Sequence, residues 1–572
     1  MKWLSMLMFL LLFPGFVYGQ TEIVSVRSGK IHYLPDERAV FIGTVQNSGS
    51  AEAKATVNCR LYRHLGEEIT LGSRTVTVPP KGKADSEFSF PLDGVEYGYE
   101  VQMWLEGGGK KISDYFGVSR NVIKIGIMGD SPYANYTDVF AWAPDDFGNL
   151  SPKGEHWWSG QGNYDYTKAR LNERMRGWHD RGVKAVTYGK GVSGGPTGMD
   201  ILIEHPDWSC YNRFGQLGGM NMAIDIWSLK NWDVNNHGDS GGRMWQFWNC
   251  WTPNFYETDA VLYGAQALVD GAKMFGWDGV RFDAQFDIFG GFSYDSKTTD
   301  HGENRDALNV RNLRLTKEHI LKTFPDFIFG YNYGAVQNPP TEMDREVCKG
   351  GGLIMDEGFC DTSAPQHPDN PWINFARRII NEVKATGSLG GCQIVFEHNR
   401  MGVTVIADND YGLIFCFAGG GRPYLWNYKS TRYRLDRFTT RYSEYLLNDD
   451  IKRLSKPEER FRVQRPATIW WKDWAGEYAP SEGRTQYILH LINPPQKKGI
   501  GSTPFPAPQN DISVDFMIPE GQELAEAWLL SPEPEVNGRK LSPVHNENGT
   551  VTFKVESLDL WKLLVVEVRR TK

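Results

Sequence analysis

Residues 276–287 read "GWDGVRFDAQFD", an apolar stretch that carries an arginine and an aspartate two positions apart. In a β-strand successive side chains point to opposite faces, so Arg281 and Asp283 share one face while Val280 and Phe282 occupy the other. Charged groups inside a buried strand are costly unless a partner or a reaction uses them. Other apolar runs also close on polar residues. "FIFGYN" ends in Tyr331 and Asn332, "LIMDEG" in Asp356 and Glu357, and "CQIVFEHN" in Glu397, His398 and Asn399. Two carboxyls about 5 to 5.5 Å apart across a sugar support double displacement, in which one attacks the anomeric carbon and the other protonates the leaving oxygen and later activates water. A positive charge at Arg281 would hold Asp283 ionised, as a nucleophile requires.

Elements that could bring these residues together are legible around them. Val261, Leu262, Ala265, Leu268, Val269, Ala272 and Phe275 recur at helical spacing just before the Arg281 run. Leu171, Met175 and Trp178 precede "VKAVTYG" in the same way, Val310, Leu313, Ile320 and Leu321 precede "FIFGYN", and Ile373, Ala376, Ile380 and Val383 precede "CQIVFEH". Helices alternating with apolar runs mean βα units and a parallel sheet. The eight runs are "VIKIGIMG", "VKAVTYG", "MWQFWN", "GVRFDA", "FIFGYN", "GLIMDEG", "CQIVFEH" and "GLIFCFAGG". Eight favours a closed (β/α)8 barrel, whose active site lies at the C-terminal ends of its strands, where the polar residues stand. No dinucleotide fingerprint or phosphate loop follows the first run. The barrel is expected over residues 122–455. Short alternating segments before and after it predict two antiparallel β-sandwiches, an Ig-like one over 20–121 and another over 456–572.

"GWDGVRFDA" resembles the fourth-strand motif of α-glycosidase barrels, the alpha-amylase family among them, where G-x-R-x-D ends in the nucleophile. That family places its acid on the fifth strand as a glutamate, whereas this chain offers "FGYNYG". An aspartate on strand four, an asparagine on strand five and an acid on strand six resemble more closely the dextranase and cycloisomaltooligosaccharide glucanotransferase family, and more distantly the alpha-galactosidase and alpha-glucosidase barrels. The resemblance spans residues 122–455 and implies Asp283 as nucleophile and Glu357 as acid/base. Asp356 is the alternative acid, although its side chain should face away from that of Glu357. Substrate contacts are expected from Arg281, Asn332, Asp130, Glu397 and His398, with Trp142, Trp158 and Trp208 as stacking platforms for sugar rings. For several of these a plainer role stands beside the functional one: an Asp-Ser turn at Asp130, a buried histidine at His398, core packing for the tryptophans. Asp278 reads as a helix-to-strand turn residue.

Composition sets the outer limits. At 572 residues, 40% hydrophobic and 23% charged, the chain is globular and long enough for roughly three domains. Its net charge of −8 carries no basic patch, which argues against nucleic acid as a partner. The 20 tryptophans suit an oligosaccharide or polysaccharide substrate. Residues 1–19, "MKWLSMLMFLLLFPGFVYG", describe a secretory signal peptide with cleavage near Gly19, so a secreted or periplasmic protein is expected. No later stretch approaches the ~20 apolar residues of a membrane span. The seven cysteines lack metal-ligand spacing; most read as buried thiols, and a Cys348–Cys360 bridge is left open. Neither metal nor cofactor is expected. Asn135, Asn149 and Asn548 stand in glycosylation sequons. The sequence therefore points to a secreted retaining hydrolase of α-linked glycans, an α-glucan or an α-galactoside. Its rivals are a transglycosylase using the same site and a non-catalytic carbohydrate-binding or scaffold protein on the same barrel.

Overall fold

The computed structural model describes residues 21–129, 131–139, 156–157, 166–190, 205–208, 216–217, 224–225, 257–283, 305–356, 371–396, 410–425, 434–465, 468–495, 506–547 and 549–571. Its centre is a closed barrel of eight parallel strands. They are β1 (Met128–Gly129), β2 (Tyr136–Val139), β3 (Lys184–Lys190), β4 (Gly279–Asp283), β5 (Ile328–Asn332), β6 (Leu353–Asp356), β7 (Cys392–Phe396) and β8 (Arg422–Leu425). Neighbours in sequence are neighbours in the barrel, and the Tyr424–Met128 pairing of β8 with β1 closes it. Helices α1 (Lys168–Asp180), α2 (Thr258–Phe275), α3 (Arg305–Leu321), α4 (Glu342–Cys348), α5 (Pro371–Ser388) and α6 (Asp410–Gly419) lie between strands in the chain.

Alternation along the strands separates two cores. Met128, Tyr136, Val186, Leu353, Met355, Ile394 and Tyr424 pack together inside the barrel. Val280, Phe282, Phe329, Tyr331 and Ile354 face outward and pack with Val269, Ala272 and Phe275 of α2 and with Leu313 and Ile320 of α3. Each large outward residue removed from water contributes about 1.5–3 kcal/mol, which fixes the parity of β4 and so the face that Arg281 occupies. The turn into β4 is equally determined. Gly276 ends α2 in the left-handed region at φ 77°, its N–H bonded to Ala272 O, as glycine does at low cost. Asp278 then takes hydrogen bonds from Ala185 N, Lys184 Nζ and His179 Nε2 at 2.8–2.9 Å. Burial opposes its charge, but the His179 hydrogen bond and the Lys184 charge outweigh it and hold the carboxyl below its usual value. Asp278 is thus the tie between the starts of β3 and β4.

Three expected strands are corrected. "VIKIGIMG" is largely a 3-10 helix, Val122–Ile125, capped by Asn121, and only Met128–Gly129 pairs as a strand. The second strand is Tyr136–Val139, too short and too polar to stand out. Since β3 pairs directly with β4, from Val186 with Gly279 to Lys190 with Asp283, no strand lies between them for "MWQFWN", which is outside the described residues. "GLIFCFAGG" falls almost entirely in α6, every residue of which is buried. A helix covered on all sides has no apolar period to read. One side of α6 meets α5, and the other meets the C-terminal sheets, with Phe415 5.9 Å from Trp470 and 5.8 Å from Trp474. Its Tyr411 hydroxyl donates to Asn493 O at 2.7 Å. The eighth strand is "RPYL" instead.

The chain divides into two compact units, Met1–Lys30, Pro35–Val95 and Tyr99–Phe116 forming one, and Ile31–Leu34, Glu96–Gly98 and Gly117–Lys572 the other. The first contains the antiparallel sheet of Thr21–Ser28, Arg38–Asn47 and Lys83–Pro91, and most of a second sheet built from Ala53–Arg63, Glu67–Val78, Tyr97–Leu105 and Ile112–Val118. Phe41 of one meets Phe116 of the other at 5.4 Å. In the second unit, after the barrel, six-stranded and four-stranded antiparallel sheets share one core, to which Leu489 and Val566 contribute from the first and Val514 and Phe553 from the second. Among the described residues no helix is long and apolar enough to cross a membrane.

Candidate active site

Arg281 is 3% exposed and stands inside the barrel, where three other strands meet it. Its Nη1 donates to Asn332 Oδ1 of β5 and lies 3.6 Å from Met355 Sδ of β6. Its guanidinium carbon is 5.7 Å from the centroid of the Tyr424 ring on β8, a cation–π contact. Gly330 makes room for the arginine stem, since a Cβ there would lie 3.2 Å from Arg281 Cγ. A buried guanidinium needs such partners to offset its desolvation. Position 283 is two residues on, at the C-terminal end of β4 and level with Lys190 of β3.

Asp356, the last residue of β6, takes the opposite course to Met355. It is buried, and its carboxylate accepts a hydrogen bond from Arg378 Nη2 of α5, outside the barrel wall. Arg378 Nε donates to Glu382 Oε1 at 2.7 Å, one helical turn further on. Glu382 is itself buried, and its Oε2 has no hydrogen-bond partner. Burial, and then the charge of Asp356, push the Glu382 carboxyl up to about 8, which favours its protonated form near neutral pH. Burial works against the Arg378 charge, but the two carboxyls outweigh it and raise its pKa above the ordinary value.

No family model and no curated protein matches this chain. Its fold, however, has a solved counterpart. A cycloisomaltooligosaccharide glucanotransferase of Paenibacillus sp., solved with cycloisomaltoheptaose, is similar over 95% of this chain and 99% of its own, at a TM-score of 0.69 and 12% identity. At that identity the likeness is one of fold. A maltogenic alpha-amylase of Thermotoga neapolitana (TM-score 0.41, 11% identity, 77% of this chain and 91% of that one) and an Anoxybacillus alpha-amylase (0.40, 11%, 77% and 87%) are too distant to argue from.

The structure brings Arg281 and Asn332 together and turns Asp356 away from them. Backbone alone is described for Asp283. Glu357, Asp130, Glu397, His398, Trp142 and Trp158 lie outside the described residues. Trp208 is buried, with the His205 ring stacked on it at 4.1 Å and Tyr263 of α2 at 5.6 Å, so neighbouring rings pack against it. Tyr331 faces the helix layer, where it stacks on Phe282 at 5.9 Å. Asn135 is an interior residue whose Oδ1 accepts from Ile127 N and whose Nδ2 donates to Val122 O and Ile125 O; a glycan on that nitrogen would replace one of its two hydrogens and displace at least one of these bonds. Cys348 is buried, as are Cys59, Cys392 and Cys416, and Cys360, the other half of the bridge left open by the sequence, lies outside the described residues. Among the described residues no cluster of His, Cys, Asp and Glu could hold a metal ion. Sequence reasoning missed Tyr424, Met355, Arg378 and Glu382. Only Arg378 and Glu382 carried a signal, an opposite-charge pair four residues apart on a helix.

Proposed function

We propose that this protein is a secreted or periplasmic retaining glycosidase acting on α-linked glycans, with Asp283 as nucleophile and Glu357 as acid/base, and that each pair of flanking sheets is a β-sandwich. The observation that carries the reading is the alternation at the ends of β4 and β6. Arg281 occupies the barrel interior two residues before Asp283, and Asp356 is drawn into the helix layer, an arrangement that supports the next residue, Glu357, as the carboxyl offered to the substrate. A carboxylate oxygen of Asp283 bonds to the anomeric carbon as the glycosidic C–O bond breaks, and the departing oxygen takes the proton of Glu357. The resulting Glu357 carboxylate then removes a proton from water, whose oxygen displaces Asp283 and frees the sugar. A sugar hydroxyl arriving in place of water gives transfer from the same intermediate. Because the fold neighbour is a glucanotransferase solved with cycloisomaltoheptaose, α-linked gluco-oligosaccharides are the first substrates to test.

The two carboxyls separate by what each variant traps. With an aryl α-glucoside whose leaving group departs unprotonated, Glu357→Ala should still form the glycosyl-enzyme and then accumulate it, and azide, which needs no base, should restore turnover. Asp283→Asn should form none. Intact-protein mass reads both outcomes. Trapping by Asp356→Ala in place of Glu357→Ala would move the acid by one residue, and trapping by neither would refute a retaining mechanism.

A further inference from the structure

Asp356, Arg378 and Glu382 form a chain of polar contacts running from the end of β6 into α5. Its far end is fixed by packing, since Trp372, Phe375, Ala376 and Ile379 of α5 are all buried. Its near end is the residue just before the acid/base carboxyl. Swinging Asp356 into the barrel would strip Arg378, about one-third exposed, of its carboxylate on β6. A general acid must meet the leaving oxygen within hydrogen-bond reach, and a misplacement of about 1 Å can cost about 100-fold in rate.

We propose that Arg378 is a positioning residue for this reaction: by holding Asp356 in the helix layer it fixes the path of the chain at the end of β6 and thereby aims the carboxyl of Glu357. The inference rests on the role given to Glu357 above. It predicts a loss confined to substrates that need protonation, which a loss of folding alone would not produce.

The test compares kcat/KM, which reports the first chemical step, for an α-gluco-oligosaccharide and for a dinitrophenyl α-glucoside. Arg378→Met should lower the former about 100-fold and the latter less than about 3-fold, because a good leaving group departs without the acid. Arg378→Lys, which keeps one hydrogen-bonding charge, should recover about 10-fold of the loss. The double variant Asp356→Asn with Arg378→Met removes both charges. It should retain its melting temperature yet show the same split, and it carries the comparison if the single variant does not fold. Equal losses on both substrates, or no loss in a folded variant, overturn the inference. If Glu357→Ala itself shows no split between the substrates, the fault lies in the assignment of the acid; if it does and the Arg378 variants do not, the positioning role alone is refuted.

Discussion

Replacing Glu382 with Gln should make the protein's stability less sensitive to pH, and the structure gives both sign and size. In the native chain this carboxyl titrates at about 8, against an ordinary 4.5, because it is buried and stands beside Asp356. Below pH 4.5 native and unfolded chains both hold the proton and ionisation contributes nothing. Between 4.5 and 8 only the native chain holds it, so stability falls as pH rises, and above 8 the loss is complete. At about 1.4 kcal/mol per pH unit the full interval amounts to about 5 kcal/mol. Local relaxation spares part of the cost of burying the charge, so the expected span is roughly 2 to 5 kcal/mol. Glutamine keeps the shape of the protonated acid and an oxygen for Arg378 Nε, but it cannot ionise. Urea unfolding of both proteins at half-unit steps from pH 4.5 to 8.5 should show the variant gaining on the wild type across that window and no further above it. A difference that stays flat with pH would mean that Glu382 is ionised in the native chain at neutral pH and that Arg378 serves two carboxylates.

Arg281→Ala should move the acidic limb of the kcat/KM profile to higher pH, since removing a neighbouring positive charge makes the Asp283 carboxylate harder to form; an unmoved limb in an active variant would refute that coupling. Gly279→Ala should destabilise the barrel by about 3 kcal/mol or more, because its Cβ would stand 2.3 Å from Ile328 O of β5, and an unchanged melting temperature would show that β4 and β5 can separate at little cost. Asn135→Ala should cost about 1–3 kcal/mol by leaving Ile127 N without its acceptor. Secretion from a eukaryotic host should leave Asn135 free of glycan, as read by peptide mass. Cys348 is buried, which pushes its thiol up to about 12, so it should resist an aromatic disulfide reagent until the protein is unfolded.

The barrel was legible where a strand is both apolar and long enough to contrast with its helix. The runs around Val280, Phe329, Ile354 and Ile394 all stand where the pattern puts them. It was illegible where burial erased the contrast. Residues 410–419 are covered by α5 and by the C-terminal sheets at once, so an apolar run marks total enclosure there and the strand that follows it, "RPYL", escaped notice. Tyr424 escaped with it. At the other extreme, β1 contributes two residues and β2 carries Thr137 and Asp138, too little apolar sequence to register.

The pairing of Asp356 with Arg378 was hidden for a different reason. Helical spacing picked out Ile373, Ala376, Ile380 and Val383 as the inner stripe of α5, whereas the buried stripe is Trp372, Phe375, Ala376, Ile379, Glu382 and Thr386. A hydrophobicity pattern discards a glutamate from a core stripe, although this one is covered because an arginine and a proton compensate it. Alternation could say that Asp356 and Glu357 face opposite ways, but parity alone is symmetric: it cannot say which of the two looks into the barrel. The asymmetry comes from α5. Its guanidinium pairs with Asp356 and so fixes that carboxyl on the helix side of the wall, a choice that a partner outside the strand makes and that alternation within the strand cannot.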